Sequence, residues 1–175
     1  RSVSQLNVTH CTFRNFTDGI YTDSVTLATI RDNTFLNNSL SGIKENTRGV
    51  NFTIFNNTFR NNVIGINEML VNSTISNNTL LNNTMCASFT TTSNSSVYGN
   101  NCSGSGVGFL FQESSHNLIF DNVIINNSIG INFTENVNES RVYNNYFNNT
   151  RNVVDNTSAV NYYNTTYLCN IANYT

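Results

Sequence analysis

A repeat of about 22 residues, written around asparagine, runs through nearly all of the chain. It shows when NVTHCTF, ATIRDNTF, FTIFNNTF, STISNNTL, SSVYGNNC, NLIFDNVI and SRVYNNYF are aligned. An apolar residue recurs at Val8, Ile30, Ile54, Ile75, Val97, Ile119 and Val142, and more weakly at Tyr163. Five positions later come Phe13, Phe35, Phe59, Leu80, Cys102, Ile124 and Phe147. A third feature follows at Gly19-Ile20, Gly42-Ile43, Gly65-Ile66, Cys86-Ala87, Gly108-Phe109, Gly130-Ile131 and Asn152-Val153. A unit this short cannot bury an apolar face alone, so a fixed period in this range predicts a stack in which each unit covers the next. Because three apolar columns keep phase, a structureless asparagine-rich tract does not account for the chain.

The apolar slots hold β-branched and aromatic residues between Asn, Gly, Ser and Thr turns, and no sustained helical period appears, so the chain reads as all-β. Charged residues are 10% of the chain, against about 25% in ordinary domains. A net charge of -2 gives no basic footprint for nucleic acid. No apolar run approaches the ~18 residues of a membrane span. The chain opens at Arg1, which fits a processed mature protein or an excised fragment.

The pattern I-x-x-N-x-F-x-N-N followed by G-I resembles the parallel β-helix repeats of the carbohydrate-binding and sugar-hydrolase superfamily, shared by NosD-like proteins and many microbial surface proteins. The resemblance covers roughly residues 3–171. It implies a single-stranded right-handed parallel β-helix, a β-solenoid with three strands per turn. The expectation is one domain over residues 1–175 with seven to eight rungs. Equivalent residues would then stack at ~4.8 Å. Phe13, Phe35, Phe59, Leu80, Ile124 and Phe147 would form one interior column, and Ile20, Ile43, Ile66, Ala87, Phe109, Ile131 and Val153 another. Asn33, Asn57, Asn78, Asn100, Asn122 and Asn145 would form an inward asparagine ladder at a bend, bonding rung to rung.

The sequon N-x-[S/T] occurs 17 times, at Asn7, Asn15, Asn37, Asn51, Asn56, Asn72, Asn77, Asn82, Asn94, Asn101, Asn126, Asn132, Asn138, Asn148, Asn156, Asn164 and Asn173. A random chain of this composition would carry roughly nine or ten. The excess points to covalent N-glycans on a surface with few charges. Asn56 and Asn77 precede ladder residues by one position, so ladder and glycan sites interleave without competing.

The four cysteines, Cys11, Cys86, Cys102 and Cys169, lack the spacing of a zinc site. Cys11 and Cys169 belong to the first and last rungs, about 34 Å apart along a straight stack, too far for a disulfide within one molecule. Cys86 and Cys102 lie in adjacent rungs. The expectation is an intrachain Cys86–Cys102 bond and an interchain link from Cys11 to Cys169 of the next subunit. The alternative is buried thiols that pack as small hydrophobes.

The ten carboxylates are scattered, without the Asp clusters that serve polysaccharide lyases and hydrolases of the superfamily. The best pair is Glu45 and Glu68, each two residues after Gly-Ile, with Asp23, Lys44 and Arg48 nearby. It is the weak metal candidate; otherwise it lies at a strand end in solvent. His10 and His116 read as surface residues. Phe55, Tyr98, Phe120 and Tyr143 directly follow the first core residue, so alternation turns them outward as a stripe for sugar faces or a partner protein. No catalytic residue and no cofactor is indicated. The preferred expectation is an extracellular or cell-surface structural glycoprotein that self-associates end to end into a filament or layer. The alternative is a carbohydrate-binding or polysaccharide-processing module, or an adhesin fragment.

Overall fold

The computed structural model describes residues 5–164 and is all-β. Every rung visits three parallel sheets in turn. The first sheet has eight strands, Leu6–Thr9, Ala28–Arg31, Phe52–Phe55, Thr74–Ser76, Ser96–Tyr98, Leu118–Phe120, Arg141–Tyr143 and Tyr162–Asn164. The second has seven short strands, from Thr12–Arg14 to Tyr146–Asn148. The third has seven longer ones, from Asp18–Thr22 to Arg151–Asp155. A short fourth side adds to the expected three. It begins with the pair Gly49–Val50 and Leu70–Val71 and continues as single bridges through Val71, Ser93, Ser115 and Asn138.

The repeat sets the register. Val8, Ile30, Ile54, Ile75, Val97, Ile119, Val142 and Tyr163 pair in series across the first sheet. The column from Phe13 through Cys102 to Phe147 does so across the second, and that from Ile20 to Val153 across the third. These side chains fill one continuous interior. Phe35 stacks on Phe13 and Phe59 with ring centroids 5.1 and 4.7 Å apart.

The corners explain the asparagine. Turning between sheets needs a residue with positive φ, which Asn tolerates better than other side chains. Among the described residues, 21 non-glycine residues have positive φ and 12 of them are Asn. At most corners the next residue points inward and the one after that opens the following strand, where Ser and Thr are common. Turn Asn, inward residue, strand hydroxyl is itself a sequon. Nine sequon asparagines, Asn15, Asn37, Asn51, Asn56, Asn72, Asn77, Asn82, Asn94 and Asn126, occupy these left-handed positions. The sequon excess therefore follows from corner geometry, whether or not any site carries a glycan. Of the sequon asparagines whose side chains are described, all are exposed except Asn132, which lies on the third sheet with a buried Oδ1 that has no hydrogen-bond partner.

The inward corner residues form polar ladders. The main-chain N–H of Asn33 donates to Asn57 Oδ1 at 3.0 Å, and the same bond repeats through Asn78, Asn100, Asn122 and Asn145. Each Nδ2 also donates to a strand carbonyl of the preceding rung, such as Asn100 Nδ2 to Ile75 O at 3.0 Å. Buried amides are thus satisfied by the rungs on either side. A second ladder, not anticipated, runs through Asn38, Asn62 and Asn83 and resumes from Ser105 through Asn127 to Asn149. A third, through Ser73, Ser95, Asn117, Ser140 and Asn161, closes the turn into the first sheet.

Cys86 and Cys102 are joined, with Cα atoms 6.0 Å apart. Cys86 occupies a column otherwise held by Gly19, Gly42, Gly65, Gly108 and Gly130, and by Asn152 in the last rung. Glycine is needed there because the second-sheet side chains reach across the corner. A Cβ on Gly65 would lie 2.6 Å from the Cys86 carbonyl oxygen and 3.0 Å from Leu80 Cδ2. A side chain fits at Cys86 because the residue reaching across is the small Cys102, bonded to it. Ser105 replaces the ladder Asn on this rung, and its hydroxyl sits 3.3 Å from Cys86 Sγ. Cys11 is exposed, and Cys169 and Asn173 lie outside the described residues.

Candidate functional site

The outer face of the first sheet carries two side-chain columns. One reads Arg31, Phe55, Ser76, Tyr98, Phe120 and Tyr143. It contains the expected aromatic stripe in altered form. Ser76 separates Phe55 from the rest. Tyr98, Phe120 and Tyr143 stack on one another with centroids 4.9 and 5.0 Å apart and nearly parallel planes. Their faces are therefore taken up by each other, and the half-buried ladder presents mostly ring edges. It works as a packed ridge, not as an open platform for sugar rings.

The neighbouring column ends in Ser96, Leu118, Arg141 and Tyr162. Beside it runs the corner leading into the sheet, with Asn94, His116 and Glu139 all at positive φ. Because this corner repeats once per rung, His116 and Glu139 stack although 23 positions separate them. His116 Nε2 lies 2.6 Å from Glu139 Oε2. The guanidinium of Arg141 sits over the Tyr162 ring at 5.8 Å. Together they line a groove of about 390 Å³ floored by Ser95, Ser96 and Leu118. A second hollow, of about 340 Å³, continues it between Tyr143 and Tyr162. The groove thus offers an imidazole, a carboxylate, a guanidinium and phenol rings on a hydroxyl-bearing strand surface. The sequence reading placed His116 on the surface but missed this grouping. The signal was there: residues one period apart share a face.

Glu45 and Glu68 are not at a strand end in solvent. Both side chains point into the solenoid, with 2% and 1% of their surface exposed. They belong to an interior column of the third sheet, with Thr22 before them and Phe89, Phe111, Phe133 and Asp155 after. The inward turn follows from strand alternation: Ile43 and Ile66 point in, Lys44 and Asn67 point out, and the Glu residues come next. Glu45 Oε1 accepts N–H bonds from Ser24 at 2.8 Å and Thr47 at 3.3 Å. Glu45 Oε2 and both Glu68 oxygens are buried without a hydrogen-bond partner. Burial, and then the neighbouring Glu45 charge, push the Glu68 carboxyl well above the usual carboxylate range, with the Glu45 main-chain N–H pulling weakly the other way.

The arrangement defines a parallel β-helix repeat protein. A family model described as "Periplasmic copper-binding protein (NosD)" matches residues 51–175, and a "Right handed beta helix region" model matches residues 1–69. The chain belongs to the NosD family, and its coil is a right-handed parallel β-helix. No curated protein matches it. Among solved structures it is similar to the periplasmic alginate epimerase AlgG, with a TM-score of 0.56, 14% identity, and coverage of 94% of this chain and 51% of that one. It is also similar to the enzymatically active domain of tailspike protein 2 from bacteriophage CBA120, with a TM-score of 0.48, 12% identity, and coverage of 94% and 39%. The chain thus spans about half the length of the epimerase structure.

The copper in the family's description does not fit the described residues. Copper takes imidazole, thiolate and thioether donors. Among the described residues no three His, Cys, Asp or Glu side chains gather. His10 and His116 stand far apart along the stack, and Cys86 and Cys102 are tied to each other.

Proposed function

We propose that the chain is an extracytoplasmic polysaccharide-binding β-helix that holds an acidic glycan in the groove of Ser96, His116, Leu118, Glu139, Arg141 and Tyr162. The observation that carries this is the grouping of Arg141, Tyr162 and the His116–Glu139 pair along one concave strip parallel to the stack. A polymer suits a surface whose side chains recur rung by rung. A guanidinium suits a carboxylate on that polymer, because its planar fork donates two parallel bonds. The stacked ridge beside the groove makes a wall. The alginate named for the structural relative, though the likeness itself is one of fold, is the first polymer to try. A disulfide is at home in an oxidising compartment outside the cytoplasm.

The test is affinity electrophoresis in gels containing alginate, polygalacturonate or neutral dextran. Retardation is expected in the acidic gels alone, falling with salt. Arg141→Ala should weaken it about tenfold, the scale of one charge-assisted contact. Arg14→Ala, on the second sheet, should leave it unchanged. Equal retardation of Arg141→Ala and wild type would remove the groove as the site.

Head-to-tail stacking into a filament is the second reading. It is favoured by the ladders, whose bonds a second copy meeting the stack in register would continue. Electron microscopy of native material decides it: fibres support stacking, and monodisperse rods oppose it.

A further inference from the structure

The interior Glu45–Glu68 pair plays no part in that groove and needs its own account. Three of its four carboxylate oxygens are buried without a donor. Two bare carboxylates in this position would repel each other in a poorly solvating interior, and neither would have a counterion.

Among the described residues, no basic group comes to their aid from the elements packed around them. On the third sheet the column holds Thr22 on one side and Phe89 on the other. Thr22 Oγ1–H donates away, to the Lys44 carbonyl at 3.3 Å. Lys44 points out of the sheet and lies over the Tyr21 ring at 5.8 Å. From the short fourth side come Gly49, whose added Cβ would fall 3.1 Å from Glu45 Cγ, and Leu70. Phe52 of the first sheet abuts the same glycine. The other charged groups nearby are Arg48, which is exposed, and Asp23, which is exposed and accepts the Thr47 hydroxyl at 2.9 Å.

One proton resolves the conflict. If Glu68 carries it, its O–H becomes the donor that Glu45 Oε2 lacks, and the pair holds one negative charge instead of two. That charge rests on Glu45, whose Oε1 already has the Ser24 and Thr47 donors. We propose that Glu45 and Glu68 form a proton-sharing carboxyl–carboxylate pair inside the solenoid, and that loss of this proton as pH rises loosens the rungs that carry them. The pair is a built-in pH sensor at one end of the third sheet.

The sign follows from linkage. In the unfolded chain Glu68 titrates near the ordinary value of 4.5, and in the folded chain well above it. The stability it contributes is therefore complete below about pH 4.5 and is lost as pH rises through the folded value. Over that window the unfolding constant should rise by up to about tenfold per pH unit.

The experiment is urea unfolding of the whole chain from pH 4.5 to 9, with and without calcium, for wild type, Glu68→Gln and Glu45→Gln. Wild type should lose stability as pH rises, and amide exchange in residues 41–71 should quicken with it. Glu68→Gln keeps the shape and supplies a permanent N–H donor, so its profile should lose this decline. Glu45→Gln removes the neighbouring charge that raises Glu68, so the decline should end at lower pH and be smaller in total. Infrared spectra of wild type at a pH just above the ordinary carboxylate range should show the carbonyl stretch of a protonated carboxyl group, a reading that needs no variant to fold. A flat wild-type profile, or Glu68→Gln with an unchanged slope, would overturn the proposal. So would stabilisation of wild type, but not of Glu68→Gln, by calcium at pH 8, since the shared guest would then be a metal ion.

Discussion

Glu68 and Asp155 occupy the same interior column of the third sheet, at opposite ends of a run of three phenylalanines. They are treated in opposite ways. Asp155 sits where the column opens, and its carboxylate accepts bonds from the Thr157 hydroxyl at 2.6 Å, the Thr157 N–H at 3.0 Å, Asn161 Nδ2 at 3.1 Å and the Tyr163 hydroxyl at 2.5 Å. Partial burial works against its charge, but those donors outweigh it and hold the carboxyl below its ordinary value. Glu68 is sealed in, and neither of its oxygens has a partner at hydrogen-bond geometry; the Glu45 main-chain N–H gives it only a weak pull. A solenoid column is therefore not uniformly apolar. What a position demands depends on whether the neighbouring rungs supply donors or rings. The backbone tolerates either because register is carried by the corner ladders.

The largest effect is expected in the phenylalanine run between the two acids. Phe111 stacks on Phe89 with centroids 4.8 Å apart and meets Phe133 at 5.4 Å. Phe111→Ala opens a cavity that adjacent rungs cannot close without losing their pairing. The expected loss is about 3–5 kcal/mol in urea unfolding. A loss below about 1 kcal/mol would mean that the rungs can collapse around a missing ring.

A smaller effect separates the acids themselves. Asp155→Ala takes the carboxylate from the Tyr163 hydroxyl and from Asn161 Nδ2, which keeps the Val137 carbonyl, and the site is half-open, so about 1–2 kcal/mol is expected at pH 7. Because the folded carboxyl is held low, its contribution is present above the ordinary value of 3.8 and lost as pH falls through the folded value. The gap between Asp155→Ala and wild type should therefore close in strong acid, whereas the Glu68 contribution fades as pH rises through its raised folded value. Stability profiles of the two variants with the same slope would end the contrast.

The three interior columns and the first asparagine ladder were legible in the sequence because they depend only on phase. Ile30, Phe35 and Asn33 each recur one period on, and the register follows. What depends on neighbours was not legible. The second ladder was not found: Asn38, Asn62 and Asn83 stand among many other asparagines of the repeat, and Ser105 interrupts them. The orientation of Glu45 and Glu68 was readable by alternation from Ile43 and Ile66, but the pair was read as a weak metal candidate or a strand end in solvent. The groove was missed because His116 and Glu139 were weighed singly and not as one corner column. The sequons misled in a different way. Asn77 was read for what might be attached to it, while its φ of 53° shows what the corner requires of it.

The mildest expected effect concerns the outer ridge, the exposed counterpart of the buried phenylalanine run. Phe120 stacks between Tyr98 and Tyr143. Its rungs are held from within by Ile119 and by the bond from Asn100 to Asn122, so the ridge adds to a register already fixed. Phe120→Ser should cost about 1 kcal/mol, the scale of aromatic pairs at a half-exposed site. It should leave the disulfide and the retardation by acidic polysaccharide unchanged, since the groove side chains are on the other column. If instead binding fails while stability holds, ring edges are part of the binding surface, and the ridge belongs to the site and not to its wall.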